Sequence, residues 1–348
     1  MVQLEKRIRA FVKLGDFLRN INTLNPEQDN GSLRKLANES YMFNPWFTPD
    51  NVCTSIGNIG ESLTEQSLNH WVEMYTHRLI QKRQSRRVGV VMAGNIPLVG
   101  FHDFLCVLLS GHKIIARLSS NDNQLLPAIA SKLIEIEPGF ADQILFSEGK
   151  LENYDAVIAT GSNNSSRYFE YYFRNVPYII RRNRNGVAVL TGRETNIELN
   201  LLGQDIFLYF GMGCRSISKI FVPKDYSFDR LFQFLEKYNT VVDHNKYCNN
   251  YEYYKSIYLI NGQKHLDNGF LLLKQDLAFA SPPSVLFYDE YNHLKALNND
   301  LLTMHDQIQC IVSHSAEISG AIPFGKAQKP ELWDYADGVD TIEFLLNL

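Results

Sequence analysis

From residue 87 the chain settles into a rhythm that few folds accommodate: short β-branched runs, each of single-strand length, separated by stretches whose apolar residues have helical spacing. "VGVVMAG" ends on Gly94, a helix is expected over about 98 to 110, and "HKIIARL" is the next extended run. "LLPAIASKLIEI" reads as a helix and "QILF" as a strand, while "YDAVIAT" runs into "GSNNSSRYFEYYF", a helix opened by Ser and Asn. "VPYIIRR" and "GVAVLTG" continue the series. Strands that alternate with crossover helices pair in parallel, so the expected class is α/β with a doubly wound sheet.

The flanks have other patterns. Residues 1 to 80 read as helical, with loop signals at "NPEQDNGS" and "NPWFTPDN" and a charged connector, "QKRQSRR", over 81 to 87. In the opening stretch Leu4, Ile8, Phe11, Leu14 and Leu18 fall at helical spacing, with Lys6, Arg7, Arg9 and Lys13 among them. Such a helix could lie on a membrane surface, but docking its apolar face on its own domain is the reading adopted. Beyond about residue 194 a helix containing "LLGQDIFLYFG" leads into a second α/β series. Its strands are expected at "SKIFVP", "SIYLI", "SVLFY" and "IQCIVS", with helices such as "SFDRLFQFLEKY" between them. The tail, "IPFGKAQKPELWDYADGVDTIEFLLNL", mixes Pro, Gly and acidic turns with an apolar end, and is expected to run back across the surface.

Composition removes several classes of function. A formal charge of -4, with Lys and Arg spread along the chain, leaves no basic footprint for a nucleic-acid backbone. The five cysteines, Cys53, Cys106, Cys214, Cys248 and Cys310, are widely spaced and odd in number, which suits neither a disulfide framework nor a zinc site. A reducing, cytoplasmic setting is expected. No apolar run approaches the roughly 18 to 20 residues of a membrane span, and the first residues lack the continuous apolar core of a signal peptide.

In open parallel sheets ligands gather at the carboxyl ends of the strands, and two such ends carry suggestive residues. In "VVMAGNIPLVG", Gly94 permits a tight turn, Pro97 pre-sets a first helical turn, and Asn95 either binds an oxyanion through its amide or caps the helix. In "IATGSNNSSR", Thr160, Gly161 and Ser162 offer hydroxyls and backbone N–H groups to an anion, or open an ordinary capped helix. Cys214, in "YFGMGCRSISKIFVP", stands apart from the other cysteines, which read as small buried hydrophobes. Gly211 and Gly213 let the backbone approach a ligand, and Arg215 follows at once, a neighbour that favours thiolate. Locally, nucleophile and structural thiol remain equal readings.

Taken in order, these segments resemble the aldehyde dehydrogenase superfamily. "GNIPLVG" is similar to its Asn-x-Pro-Leu turn, "SGHKIIARLSS" to its Gly-Asn-x-Val-x-x-Lys-Pro-Ser strand, "IATGSNNSS" to Phe-Thr-Gly-Ser, and "FGMGCRSISKIFVP" to the nucleophile loop Gly-Gln-x-Cys-x-Ala. The likeness covers residues 86 to 223 well, and within the superfamily it points to the LuxC-like acyl-CoA reductases, which share the flavour of "PFGKAQKPELWDYADGVD". The resemblance implies a dinucleotide-binding domain with the N-terminal helices over 1–194, a catalytic domain over 195–325 and a tail, 326–348, packed back. It makes Cys214 the nucleophile that holds the acyl group as a thioester, with Asn95 and the Cys214 N–H as oxyanion hole. Arg117, Ser119 and Ser120 fall in the ribose-contact stretch, and Thr160, Gly161 and Ser162 at the pyrophosphate-side turn. Ser120 stands where NAD-preferring members often place a Glu, so NADPH is the implied cofactor, with Arg117 available to the 2′-phosphate.

Departures from the pattern narrow the chemistry. The Glu that activates water in oxidising members is missing from "RRNRNGVAVLTG", where Arg184 or a neighbour replaces it, and "FASPPSV" replaces the segment that usually contacts the nicotinamide ribose. Without that base, reduction of an acyl-CoA thioester to an aldehyde is the implied reaction. The partner is then a small-molecule acyl thioester, and a homodimer is the oligomer considered. Alternatives are a reductase of another activated acid (acyl carrier protein thioester or acyl phosphate) and a non-catalytic binding protein on the same scaffold. Arg181, Arg182 and Arg184 read as a solvated loop rather than a CoA-phosphate site, and "YFEYYF" as helix packing rather than an acyl tunnel. His102, His305 and His314 read as structural or surface residues.

Overall fold

A computed structural model describes residues 2–21, 32–81 and 84–348; the expected loop at "NPEQDNGS" and part of the 81–87 connector lie outside them. The chain forms two units, Met1–Arg182 with Glu331–Leu348, and Asn183–Pro330.

The first unit opens with helices α1 (Leu4–Arg19), α2 (Ser32–Glu39), α3 (Pro49–Ser62), α4 (Glu65–Glu73) and α5 (Thr76–Leu79). Thr48 and Thr64 start α3 and α4 by accepting from the N–H groups of Asn51 and Ser67. β1 (Arg87–Val91), α6 (Phe101–Leu109), β2 (Lys113–Arg117), α7 (Leu125–Ile136), β3 (Ile144–Phe146), β4 (Ala156–Thr160), α8 (Asn163–Phe173) and β5 (Tyr178–Arg181) follow. All five strands pair in parallel in the order β3-β2-β1-β4-β5, so the winding reverses at the β1/β4 pair. The core includes Phe11, Leu14, Leu18, Trp71, Phe104 and Phe140.

α1 does dock its apolar face on its own unit, but one of its basic residues goes inward as well. Arg7 is buried and donates to Leu109 O and, at 3.4 Å, to Leu79 O. Those carbonyls end α6 and α5, so the cation sits at the negative ends of two helix dipoles. Burial holds its pKa down at about 10.

The second unit contains β6 (Asn185–Val189), α9 (Asn196–Phe207), β7 (Ile217–Pro223), α10 (Asp229–Leu235), α11 (Asn245–Ile260), β8 (Leu266–Asp267), β9 (Leu272–Gln275), β10 (Val285–Tyr291), α12 (Leu294–Thr303) and β11 (Ile308–Val312). Its sheet runs β11-β6-β7-β10-β9-β8, parallel except for β8 against β9. Helix α13 (Thr341–Leu346) belongs to the first unit, where it packs with α6.

Three expectations need correction. "GVAVLTG" supplies β6, which pairs with β7 and β11, so the change of unit falls at 182/183 rather than 194/195, and the return falls at 331 rather than 326. "SIYLI" is the end of α11, whose buried face is Tyr247, Tyr251 and Tyr258. Helical spacing of those tyrosines overrides the β preference of the isoleucines. Finally, "YFEYYF" is not plain core packing, because Tyr168, Tyr171 and Tyr172 on α8 are exposed.

Candidate active site

In the second unit, α9 begins with a capping box between Thr195 and Glu198 and breaks at Leu208. Tyr209 (φ 56°), Phe210 (φ 56°) and Gly211 (φ 72°) then all adopt left-handed backbone. That is ordinary for glycine, but it costs about 1–3 kcal/mol at each aromatic residue. Packing holds them there: Tyr209 is buried, and the Phe210 ring lies 4.3 Å from the His244 ring. Cys214 follows two residues after Met212 and is exposed, whereas Cys53, Cys106 and Cys310 are buried and Cys248 is half-buried.

β7 starts at Ile217, so the cysteine sits at the amino end of a central strand. Gly186 of β6 lies against this loop: a Cβ there would stand 2.5 Å from Arg215 O and 2.7 Å from Ser216 O. The loop is closed on itself by Gly213 N–H donating to Ser216 Oγ at 3.1 Å and Ser216 N–H donating to Gly213 O at 3.0 Å. The buried Cys310 thiol reaches Arg215 O at 3.7 Å. Beside the loop lies a cavity of ≈ 20 Å³, room for about one water, with a mixed lining that includes Phe207, Phe210, Ile217, Tyr247, Ser281 and Ser284.

In the first unit the carboxyl ends of β1, β2 and β4 share one edge, since Val91 pairs with both Arg117 and Ala159. That is the point of reversal, where doubly wound sheets hold dinucleotides. Arg117 and Ser120 are exposed there, and Ser119 is half-buried. Gly94 is required, because a Cβ would stand 2.6 Å from Ser119 Cβ and Oγ. Ser162 caps α8, accepting from Ser165 N–H at 3.2 Å, and Thr160 ends β4. Gly161 packs closely under the Phe169 ring.

The alternative of Asn95 as a helix cap does not survive, nor does Pro97 as a first-turn residue. α6 begins at Phe101 with Gly100 at its N-cap. The turn that carries Asn95 is held by its neighbours instead. Ser55 Oγ donates to Pro97 O at 2.8 Å, and Leu98 (φ 60°) donates its N–H to Asp122 Oδ2 at 2.7 Å. Burial pushes the Asp122 carboxyl up to about 6 against the lowering effect of that bond.

Other expected features fall elsewhere. Arg181 is neither solvated nor available to a phosphate: it is buried in an ion pair with Asp103 at 2.6 Å and donates to Thr341 Oγ1 and Ala336 O. Arg182 is exposed beside Glu170, and Arg184 donates to His305 O at 3.0 Å. His102 is packed beneath the C-terminal segment, 2.8 Å from Leu332 O, with its pKa lowered by burial. His305 is exposed. His314 stands 3.0 Å from Thr191 Oγ1 and 3.4 Å from Glu198 Oε1. Sequence reasoning missed the supporting residues Asp122, Asp205 and Gln328; none lies in a spacing that marks a site. Among the described residues no group of His, Cys, Asp and Glu is arranged to hold a metal ion.

A parallel sheet wound 3-2-1-4-5, followed by a second α/β unit with a cysteine turn before a central strand, defines the aldehyde dehydrogenase architecture, and solved structures agree. The NAD-dependent aldehyde dehydrogenase of Sinorhizobium meliloti superposes with a TM-score of 0.65 at 12% identity, over 91% of this chain and 72% of that one. Aldehyde dehydrogenase 21 of Physcomitrella patens, solved with its product succinate, gives 0.66 at 10% identity over 100% of this chain and 84% of that one. At such identities the likeness establishes the fold. The sequence profile of the family described as acyl-CoA reductase (LuxC) matches residues 46–231. The chain belongs to that family of oxidoreductases. No curated protein matches the sequence.

Proposed function

We propose that this protein reduces a fatty acyl-CoA thioester to the aldehyde with NADPH, through an acyl-enzyme on Cys214. The observation that carries the reading is an exposed cysteine on a strained turn at the head of β7, in a chain of the acyl-CoA reductase (LuxC) family. In this mechanism the Cys214 thiolate attacks the thioester carbonyl, the carbonyl π electrons move onto oxygen, and CoA leaves as its thiolate. The Asn95 amide and the Cys214 N–H are assigned to the oxyanion. Bound NADPH supplies the hydride that the acyl group needs. Return of the electron pair to Cys214 sulfur then releases the aldehyde, with no water consumed.

The residues at the switch point of the first sheet suit a dinucleotide. The Ser162-capped α8 presents its N-terminus, and Arg117 offers a cation. Ser120 brings no carboxylate against a 2′-phosphate. NADPH is therefore expected to bind more tightly than NADH, and calorimetric titration of both nucleotides checks this; equal or tighter NADH binding would reverse the assignment. Among the described residues no helix is long and apolar enough to cross a membrane. The reading places the enzyme in the cytoplasm, where five thiols stay reduced.

The decisive experiment is intact-mass measurement after exposure to acyl-CoAs of graded chain length, with and without NADPH. A hydroxylamine-labile acyl adduct should form on the wild type and on Cys310→Ala, disappear in Cys214→Ala, and discharge as aldehyde when NADPH is added. Full acylation of Cys214→Ala would move the nucleophile elsewhere. Acylation by acyl carrier protein thioesters or acyl phosphates alone would identify another activated acid, and no adduct with any donor would leave a binding protein.

A further inference from the structure

The segment Gly325–Gln328, from the tail, is bonded to both sides of the cysteine turn within the second unit. Asp205 of α9 is 1% exposed, and its two carboxylate oxygens accept from Gly325 N–H at 2.6 Å and Ala327 N–H at 3.1 Å. Arg215, next to Cys214, donates from Nε to Ala327 O at 2.5 Å. Gln328 Nε2 donates to Ser216 Oγ at 2.8 Å, and the same oxygen accepts from Gly213 N–H. Gln328 also covers Gly213, where a Cβ would stand 3.4 Å from its Oε1. The turn of the segment needs glycine: Gly325 is left-handed (φ 81°), with Leu201 of α9 where a Cβ would point.

We propose that Asp205 and Gln328 are positioning residues for Cys214, clasping residues 325–328 onto the turn so that the thiol and its backbone N–H are held in reacting geometry. The proposal rests on the reading of Cys214 as nucleophile. The physical case concerns what a buried carboxylate with two backbone donors is for. Its burial is costly, and it offsets that cost by fixing the amides of residues 325 and 327, in a chain segment that has no regular structure of its own. The segment then passes its position to residues 213, 215 and 216, on both sides of residue 214. Small displacements of a nucleophile are expensive, since about 1 Å of misplacement lowers a rate by as much as a hundredfold.

The test compares wild type with Asp205→Asn and Gln328→Ala. Asp205→Asn replaces one acceptor by an amide donor that faces a backbone donor, and Gln328→Ala removes a half-buried amide with little threat to folding. Three quantities are measured: the single-turnover acylation rate, the KM for the thioester, and the iodoacetamide alkylation rate of Cys214 located by peptide mass. Acylation should slow by roughly tenfold to a hundredfold while KM moves by less than about threefold. Alkylation of Cys214 should also change by at least about threefold, because its surroundings are altered. Wild-type alkylation rates in both variants would overturn the proposal, as would wild-type acylation rates. If the wild type is acylated by no thioester, the functional reading fails, yet the alkylation comparison still decides whether the clasp positions the thiol. Should Asp205→Asn not fold, Gln328→Ala decides alone.

Discussion

Asn95 lies in a turn that its neighbours fix from both sides, Ser55 on Pro97 O and Asp122 on Leu98 N–H, and it starts no helix. Asn95→Ala therefore removes no helix cap, whose loss would cost about 0.5–2 kcal/mol. Its effect belongs to the chemistry. An oxyanion donor is used chiefly as charge develops on the carbonyl oxygen, so turnover should fall roughly a hundred- to thousandfold with KM little moved. Stopped-flow acylation and the melting temperature, measured on one sample, check this; a normal rate would remove the assigned role. Residues of this kind are unevenly legible from sequence. Cys214 announces itself through flanking glycines and an adjacent arginine, but Asp205 sits in "LLGQDIFLYFG", a stretch that reads simply as an apolar helix. Its burial becomes visible only when the distant residues 325–327 are folded against it.

At the scale of elements, the first sheet was readable because each strand is a short apolar run separated from the next by a helical stretch. The second was harder. Parallel strands buried on both faces look alike, so nothing in "GVAVLTG" states that β6 joins β7 and β11 rather than β5. What distinguishes β6 is Gly186, at the point where the β6–β7 register shifts and the backbone of residues 215–216 comes close. Gly186→Ala should force these segments apart, costing about 1–3 kcal/mol as overpacking does and slowing acylation by moving the cysteine turn. Gly57, inside α3, is the contrasting case, since a Cβ there would meet nothing within 4 Å. Gly57→Ala should stabilise by about 0.5–1 kcal/mol and leave acylation untouched. Thermal melts with single-turnover assays on the pair test the contrast; equal melting shifts would show that the close approach at Gly186 is relieved without cost.

For the molecule as a whole, buried ionisable groups set opposing slopes of stability against pH. Burial raises the carboxyls of Asp122 and Asp205 to about 6, so the folded chain keeps their protons where the unfolded chain, near about 3.9, has lost them. Each therefore favours folding less as pH rises from about 4 to 6. His102, with its pKa lowered by burial, acts the other way: the unfolded chain takes up that proton first, so stability falls as pH drops below about 6.5. Asp276, lowered by its bonds to Lys274 and Ala278 N–H, adds stability that is lost only as pH falls below the ordinary carboxylate range. Because these slopes overlap, the informative quantity is a difference between two proteins. Asp122→Asn keeps an oxygen to accept from Leu98 N–H but cannot ionise. Relative to it, the wild type should gain stability between pH 7.5 and 4.5, by at most about 3 kcal/mol for a shift near two pH units. Urea unfolding of both proteins at the two pH values measures that gain. Parallel changes would mean that Asp122 titrates as an ordinary surface acid, and that the turn carrying Asn95 is not anchored on a buried carboxylate.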